Sequence, residues 1–168
     1  MRRRVIPIAA AVLMGVTLRA EVIDRVLAVV AGQVITLSDV TAARDLGLQS
    51  ADGAADPVHA VLIKLIDREL ELAEVDRYAP PEPSAEAVDR GVAVVRERFA
   101  SDAEFEKALA RAGLDDRHLR ETVRQDLRIR SYEDLRFAPA GERRAEVFKE
   151  WMAGLRRRGD ILDLSIVR

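Results

Sequence analysis

Strand-forming sequence occurs in only two places in this chain, one near each end. Val22 to Val30 is rich in β-formers: Val22, Ile23, Val26, Leu27, Val29 and Val30. Ala31-Gly32 is a tight connector, and glycine supplies the positive φ such a turn demands. Val34, Ile35, Thr36 and Leu37 form the return strand. The other strand-like run, Ile161 to Val167, alternates with Leu162, Leu164 and Ile166 on one side. An isolated strand leaves its backbone groups unpaired. The final strand must therefore add to the N-terminal hairpin, which closes the chain on itself. Apolar residues on both faces of 26–30 predict a strand covered on both sides.

Everything between reads as helix. Ser38 is the expected N-cap of a short helix from Asp39 to about Leu46, and 47–56 is a loop of small and polar residues. Asp56-Pro57 opens a long helix to about Tyr78. Val58, Val61, Leu62, Ile63, Leu65, Ile66, Leu70, Leu72 and Val75 cover more than half its circumference, so it should be the central one. The proline-rich run Ala79-Pro80-Pro81-Glu82-Pro83 stops it. Ser84 caps a helix with the seam Val88, Val92, Val95, Phe99. Ser101-Asp102-Ala103-Glu104 has the form of a full capping box, and Gly113 closes the helix it opens. Asp115 or Asp116 caps a longer helix with Leu119, Val123, Leu127 and Leu135 on one face, Ile129 and Tyr132 on the other. After a break at 137–141, a last helix from about Glu142 to Arg158 places Val147, Phe148, Trp151, Met152 and Leu155 on one arc. The expected fold is mainly α with a small β-sheet: the hairpin and the C-terminal strand close on a five- to six-helix bundle.

Composition narrows the chemistry. The chain has no cysteine, so disulfides, thiolate metal sites and a cysteine nucleophile are excluded. Its two histidines, His59 and His118, are a poor basis for a zinc site or a triad. Only 4% of residues are aromatic, too few for a base-stacking platform. At the N-terminus, Met1-Arg2-Arg3-Arg4 precedes an uncharged, mostly apolar run from Val5 to Leu18, and Leu18-Arg19-Ala20 ends on a small residue. This is the layout of a secretory signal peptide, cleaved after about Ala20. The run is shorter than the roughly 20 residues of a spanning helix. Residues 1–20 are thus an address, and 21–168 a single exported domain with no stable membrane anchor after cleavage. Without 1–20 the chain loses four arginines and no acid, leaving a net charge of −6. That balance argues against nucleic acid as a partner. Arg143-Arg144 and Arg156-Arg157-Arg158 are better explained by helix ends than by an anionic ligand. Asp115-Asp116 is explained by capping rather than by acid–base catalysis.

The run from Asp24 to Val40, DRVLAVVAGQVITLSDV, resembles the opening of mature SurA-type periplasmic chaperones, in which a short hairpin leads into the first helix. Leu65 to Ala73 is similar to that family's second helix, and Ser84 to Phe99, Phe105, Leu109, Gly113 and Leu114 to Ile129 follow its later N-domain helices in order. The tail from Trp151 to Ile161 is similar to the family's C-terminal helix and strand. On this likeness 21–136 is the N-domain portion and 142–168 the C-terminal helix and strand. The family usually carries one or two parvulin-type prolyl isomerase domains between these portions. Here only Arg136 to Gly141 separate them, whereas such a domain needs on the order of a hundred residues. The resemblance therefore implies the chaperone core without its catalytic modules, and no enzyme activity.

It further implies that the protein holds unfolded exported polypeptides, including outer-membrane protein precursors, with no cofactor and no metal. Such a holdase needs apolar surface in a groove rimmed by polar groups. The candidate client-binding residues are Leu46, Leu48, Ile129, Tyr132 and Phe137, each of which has burial as its ordinary alternative. Two other readings stay open: a prolyl isomerase relative whose activity is absent or resides elsewhere, and a structural adaptor for one folded partner.

Overall fold

The computed structural model describes residues 24–165; the signal-peptide expectation for 1–20 lies outside them. Strands β1 (Val26–Val30) and β2 (Gln33–Thr36) form the hairpin, followed by α1 (Leu37–Asp45) and α2 (Pro57–Tyr78). Then come α3 (Ala85–Arg96), α4 (Asp102–Arg111) and α5 (Asp116–Phe137). A 3-10 turn at Ala138–Arg143 leads into α6 (Arg144–Arg158) and β3 (Ile161–Asp163). The architecture is mainly helical with a small antiparallel sheet in the order β2-β1-β3.

The C-terminal strand does pair with the first one. Val30 stands opposite both Gln33 and Ile161, and Val29 opposite both Val34 and Leu162. β1 is thereby the central strand, with Leu27, Ala28 and Val30 buried. The hairpin turn places both of its central residues at positive φ, Ala31 at 49° and Gly32 at 84°. This is the primed turn whose twist suits a two-residue hairpin. Glycine takes that conformation freely; Ala31 takes it against its Cβ.

Two of the expected helix starts are revised. The N-cap of α1 is Thr36, not Ser38. Thr36 Oγ1 accepts from Asp39 N–H, and Asp39 Oδ2 accepts from Thr36 N–H at 2.8 Å, a reciprocal box that also ends β2. Ser38 instead donates its hydroxyl to Asp24. At α4 only half of the expected box forms, with Ser101 Oγ accepting from Glu104 N–H. Asp56, Ser84 and Asp115 cap α2, α3 and α5 as their sequence positions predict.

Two cores form rather than one. The first lies under the sheet and is built by α1, α2 and α6, with Leu27, Val30, Val61, Leu62, Ile66 and Leu155. The second joins α3, α4 and the first half of α5 around Val88, Val92, Phe105, Leu109 and Leu119. A smaller cluster of Leu72, Val75, Ile129 and Tyr132, with Trp151 against it, connects α2 to α5 and α6. Helix α2 is central, in contact with α1, α5, α6 and both hairpin strands. Leu135 departs from its expected face: it is 68% exposed, because the second half of α5 rotates its Ile129–Tyr132 side toward α2. Strand β3 is shorter than the expected Ile161–Val167. Ile161 packs on the first core while Leu162, from the side that carries Leu164, is exposed; Ile166 lies outside the described residues.

The close approach of α3 to α5 depends on Gly91. A Cβ there would stand 2.4 Å from Val123 Cγ1. The Val123 side chain or the helices would have to shift to accept even a methyl group, so Gly91→Ala should destabilise the protein by about 1–3 kcal/mol. A denaturant melt should show a lower midpoint with an unchanged slope.

Candidate functional site

Where the two cores meet, the surface opens into a crevice. One cavity of about 240 Å³ lies between the hairpin, α1, α2 and the α4–α5 corner. A second of about 390 Å³ continues it along α2 and α5, and a third of about 130 Å³ reaches α3. Leu48 and Asp126 line all three. Leu48 comes from the loop after α1, whose ordinary turns need Gly47 and Gly53 at positive φ.

The crevice exists because the α2–α5 crossing is polar at this level. Arg68 sits at its centre with a side chain only 12% exposed. Its Nε donates to Asp126 Oδ1 at 2.8 Å, Nη2 to Gln125 Oε1 at 2.9 Å, and Nη1 to Glu69 at 3.0 Å. A guanidinium so placed spends its donors on both helices and fixes their spacing. One turn on, Arg128 of α5 reaches Asp76 at 2.9 Å and Glu82 at 3.2 Å, tying the end of α2 and the proline-rich connector to α5.

The carboxylates of the crevice are unevenly neutralised. Asp67 is held by Arg156, at 2.6 Å and 2.5 Å, and Asp126 by Arg68. Lys64 turns out to Asp52, at 2.5 Å, and to the Ser50 carbonyl. Glu71 and Glu133 also line the second cavity. Burial pushes the Glu71 carboxyl up to about 8, and the neighbouring Glu133 and Asp67 charges add to the shift. Burial also raises Glu133, against the pull of Arg144. Glu69 is raised by burial as well, with Arg68 opposing.

Of the candidate client-binding residues, only Leu48 lines the crevice as a half-buried apolar side chain. Leu46 is 0% exposed: it ends α1 and enters the second core, so it joins the two halves rather than offering surface. Tyr132 packs with Leu72, Val75 and Trp151, and Ile129 lies in the same cluster with one edge on the second cavity. Phe137 is buried edge-on between Phe148 and Trp151, at 5.6 Å and 5.3 Å. Five of the seven aromatic rings gather there, with Tyr78 tilted against Tyr132 at 5.2 Å. Arg136 lies 5.7–5.8 Å from the Tyr132, Phe137 and Trp151 centroids, covering the cluster from solvent. Leu46, Ile129, Tyr132 and Phe137 are therefore core residues first. Each occupies an apolar position beside a loop or off a seam, and each finds a packing partner on another element.

The residues that shape the crevice are Arg68, Glu71, Asp126 and Glu133. Their only sequence signal is charge on faces of α2 and α5 that carry apolar residues one turn away. Asp115 acts as a cap: its carboxylate accepts from His118 N–H at 2.8 Å and stands 2.7 Å from His118 Nδ1. Arg144 pairs with Asp134 at 2.6 Å and Arg143 with Glu146 at 3.1 Å. Among the described residues no three His, Cys, Asp or Glu side chains converge as metal ligands would, and no helix is long and apolar enough to cross a membrane. No protein-family model matches the chain, and no curated protein matches it either.

Glu71 makes stability depend on pH in a defined direction. Its carboxyl binds a proton more tightly when folded than its ordinary value of 4.5. The stabilising proton is present below that value and is lost as pH rises through about 8. Glu71→Gln keeps the neutral form at every pH. It should leave stability unchanged at pH 4 and raise it at pH 9 by on the order of 2 kcal/mol, read from paired thermal melts.

Proposed function

We propose that this protein is a non-catalytic periplasmic holdase that keeps unfolded exported polypeptides, outer-membrane protein precursors among them, from aggregating. The observation that carries the reading is the crevice: three adjoining cavities between two separately packed cores, with Leu48 at their junction. Holding an extended chain needs a groove with apolar patches and polar rims, and makes or breaks no bond. The likeness of 24–40, 65–73 and 151–161 to SurA-type chaperones supports the same reading. So does the element order: hairpin, helices, last helix, closing strand.

The absence of catalysis is part of the proposal. Between α5 and α6 runs a 3-10 turn of six residues, Ala138–Arg143, where the family carries its isomerase domains. Net negative charge on the mature chain would keep a client-loaded form soluble.

The decisive experiment pairs two assays on the purified protein. A denatured outer-membrane protein diluted into buffer should stay in solution at near-stoichiometric protein. A proline-peptide substrate should isomerise at its uncatalysed rate. Unsuppressed aggregation sinks the holdase reading, and retention of one folded partner in its place supports the adaptor. Accelerated isomerisation would overturn the non-catalytic assignment.

A further inference from the structure

We propose that the crevice selects, among extended polypeptide segments, those carrying a lysine or arginine a short distance from an apolar residue. The inference rests on the crevice being the client site, and it names the chemistry that site prefers.

The first two cavities of the crevice share Leu48, Gln49, Arg68 and Asp126, so one segment can lie across both. Their linings differ. The first is floored by Ile35, Ala42, Ala43, Leu65 and Leu114, which suits an aliphatic or aromatic side chain. The second is charged, and its charges do not balance. On α2, Asp67 is taken by Arg156 of α6, and Arg68 is spent on Asp126 and Glu69. Lys64 is drawn out to Asp52. On α5, Arg130 is the remaining cation of the lining and stands exposed at its rim.

Glu71 of α2 and Glu133 of α5 are left facing this cavity, half-buried and with no ion-pair partner among the described residues. Burial raises both carboxyls; at Glu71 the Glu133, Asp67 and Asp126 charges add to it against Arg68, and at Glu133 the Asp134 charge adds to it against Arg144 and Arg130. A cation from outside offsets the burial and the like charges. An ammonium or guanidinium on a flexible stem fits better than a free ion. Its methylenes can lie along Leu48 and Ile129 while its head reaches the carboxylates, and its backbone continues to the apolar end. Charge complementarity therefore names the occupant as a polypeptide segment with an apolar residue and a nearby base.

One consequence separates this from non-specific attraction to an acidic surface. At pH 7 a carboxyl titrating at about 8 is about nine-tenths protonated. A cation docking on Glu71 must expel that proton, so binding and proton release are linked.

The test uses two fluorescently labelled, capped heptapeptides, each with a central leucine. One has lysine two residues on, and the other has norleucine, which keeps the stem and removes the charge. The wild-type protein should bind the lysine peptide about tenfold more tightly. Calorimetry at pH 7 in phosphate and in Tris should show about one proton released per lysine peptide, and none with norleucine. The Glu71→Gln/Glu133→Gln double variant, with folding checked by its melt, should bind both peptides alike and release no proton. Equal wild-type affinity for the two peptides, with aggregation still suppressed, overturns the charge preference and leaves the holdase reading standing. Binding of neither peptide, with aggregation unsuppressed, removes both.

Discussion

Strand β1 can satisfy its backbone on both edges only if the two ends of the described chain meet. Everything else is arranged around that requirement. The hairpin covers one edge and β3 the other, so the helices from α1 to α6 form a single excursion that leaves the sheet and returns to it. Helix α2 fits this arrangement because it is apolar over most of its circumference. It can face the sheet, α1, α6 and α5 at once. With one central helix serving several neighbours, the core divides: the sheet side takes one face of α2, and α3–α4–α5 build a second core that touches α2 along a limited seam.

The polar crossing of α2 and α5 is what turns that seam into a crevice. Well-packed leucines in place of Arg68, Glu71, Asp126 and Glu133 would have merged the cores. A largely covered guanidinium shared between Asp126, Gln125 and Glu69 instead sets the spacing of the helices without closing the gap. Ion pairs of this kind contribute little net stability but are sensitive to the loss of either partner. The crevice is therefore specified in position, with Glu71 and Glu133 left outside its ion pairs.

Much of this was legible from residue pattern alone, and the misses share a cause. Helix existence, the centrality of α2, the caps at Asp56, Ser84 and Asp115 and the β1–β3 pairing follow from local chemistry. Each depends on residues near in sequence or on a backbone that must be paired. What local pattern leaves open depends on which neighbour a face meets. Leu135 continues a periodic seam yet points to solvent, since in the second half of α5 it is Ile129 and Tyr132 that pack on α2. The reciprocal cap at Thr36–Asp39 was hidden because Thr36 also reads as a strand residue. Leu46, Ile129, Tyr132 and Phe137 were candidate surface because nothing local buries them; their partners come from α3, α2 and α6. The crevice charges gave no local signal, since an isolated glutamate on a helix looks like any solvated one.

The pairing of Val30 with both Gln33 and Ile161 also orders events in time. One partner is available as soon as the hairpin is made; the other follows all six helices in the chain and emerges only after them. Until β3 arrives, β1 has an unpaired edge, the kind of template on which other strands assemble. Closing so long a loop is slow relative to forming the helices inside it. The helical excursion should therefore be largely built before the sheet is complete, with the final strand acting as a latch rather than a nucleus. A nascent chain halted before residue 161 would hold its helices and still be adhesive along one edge.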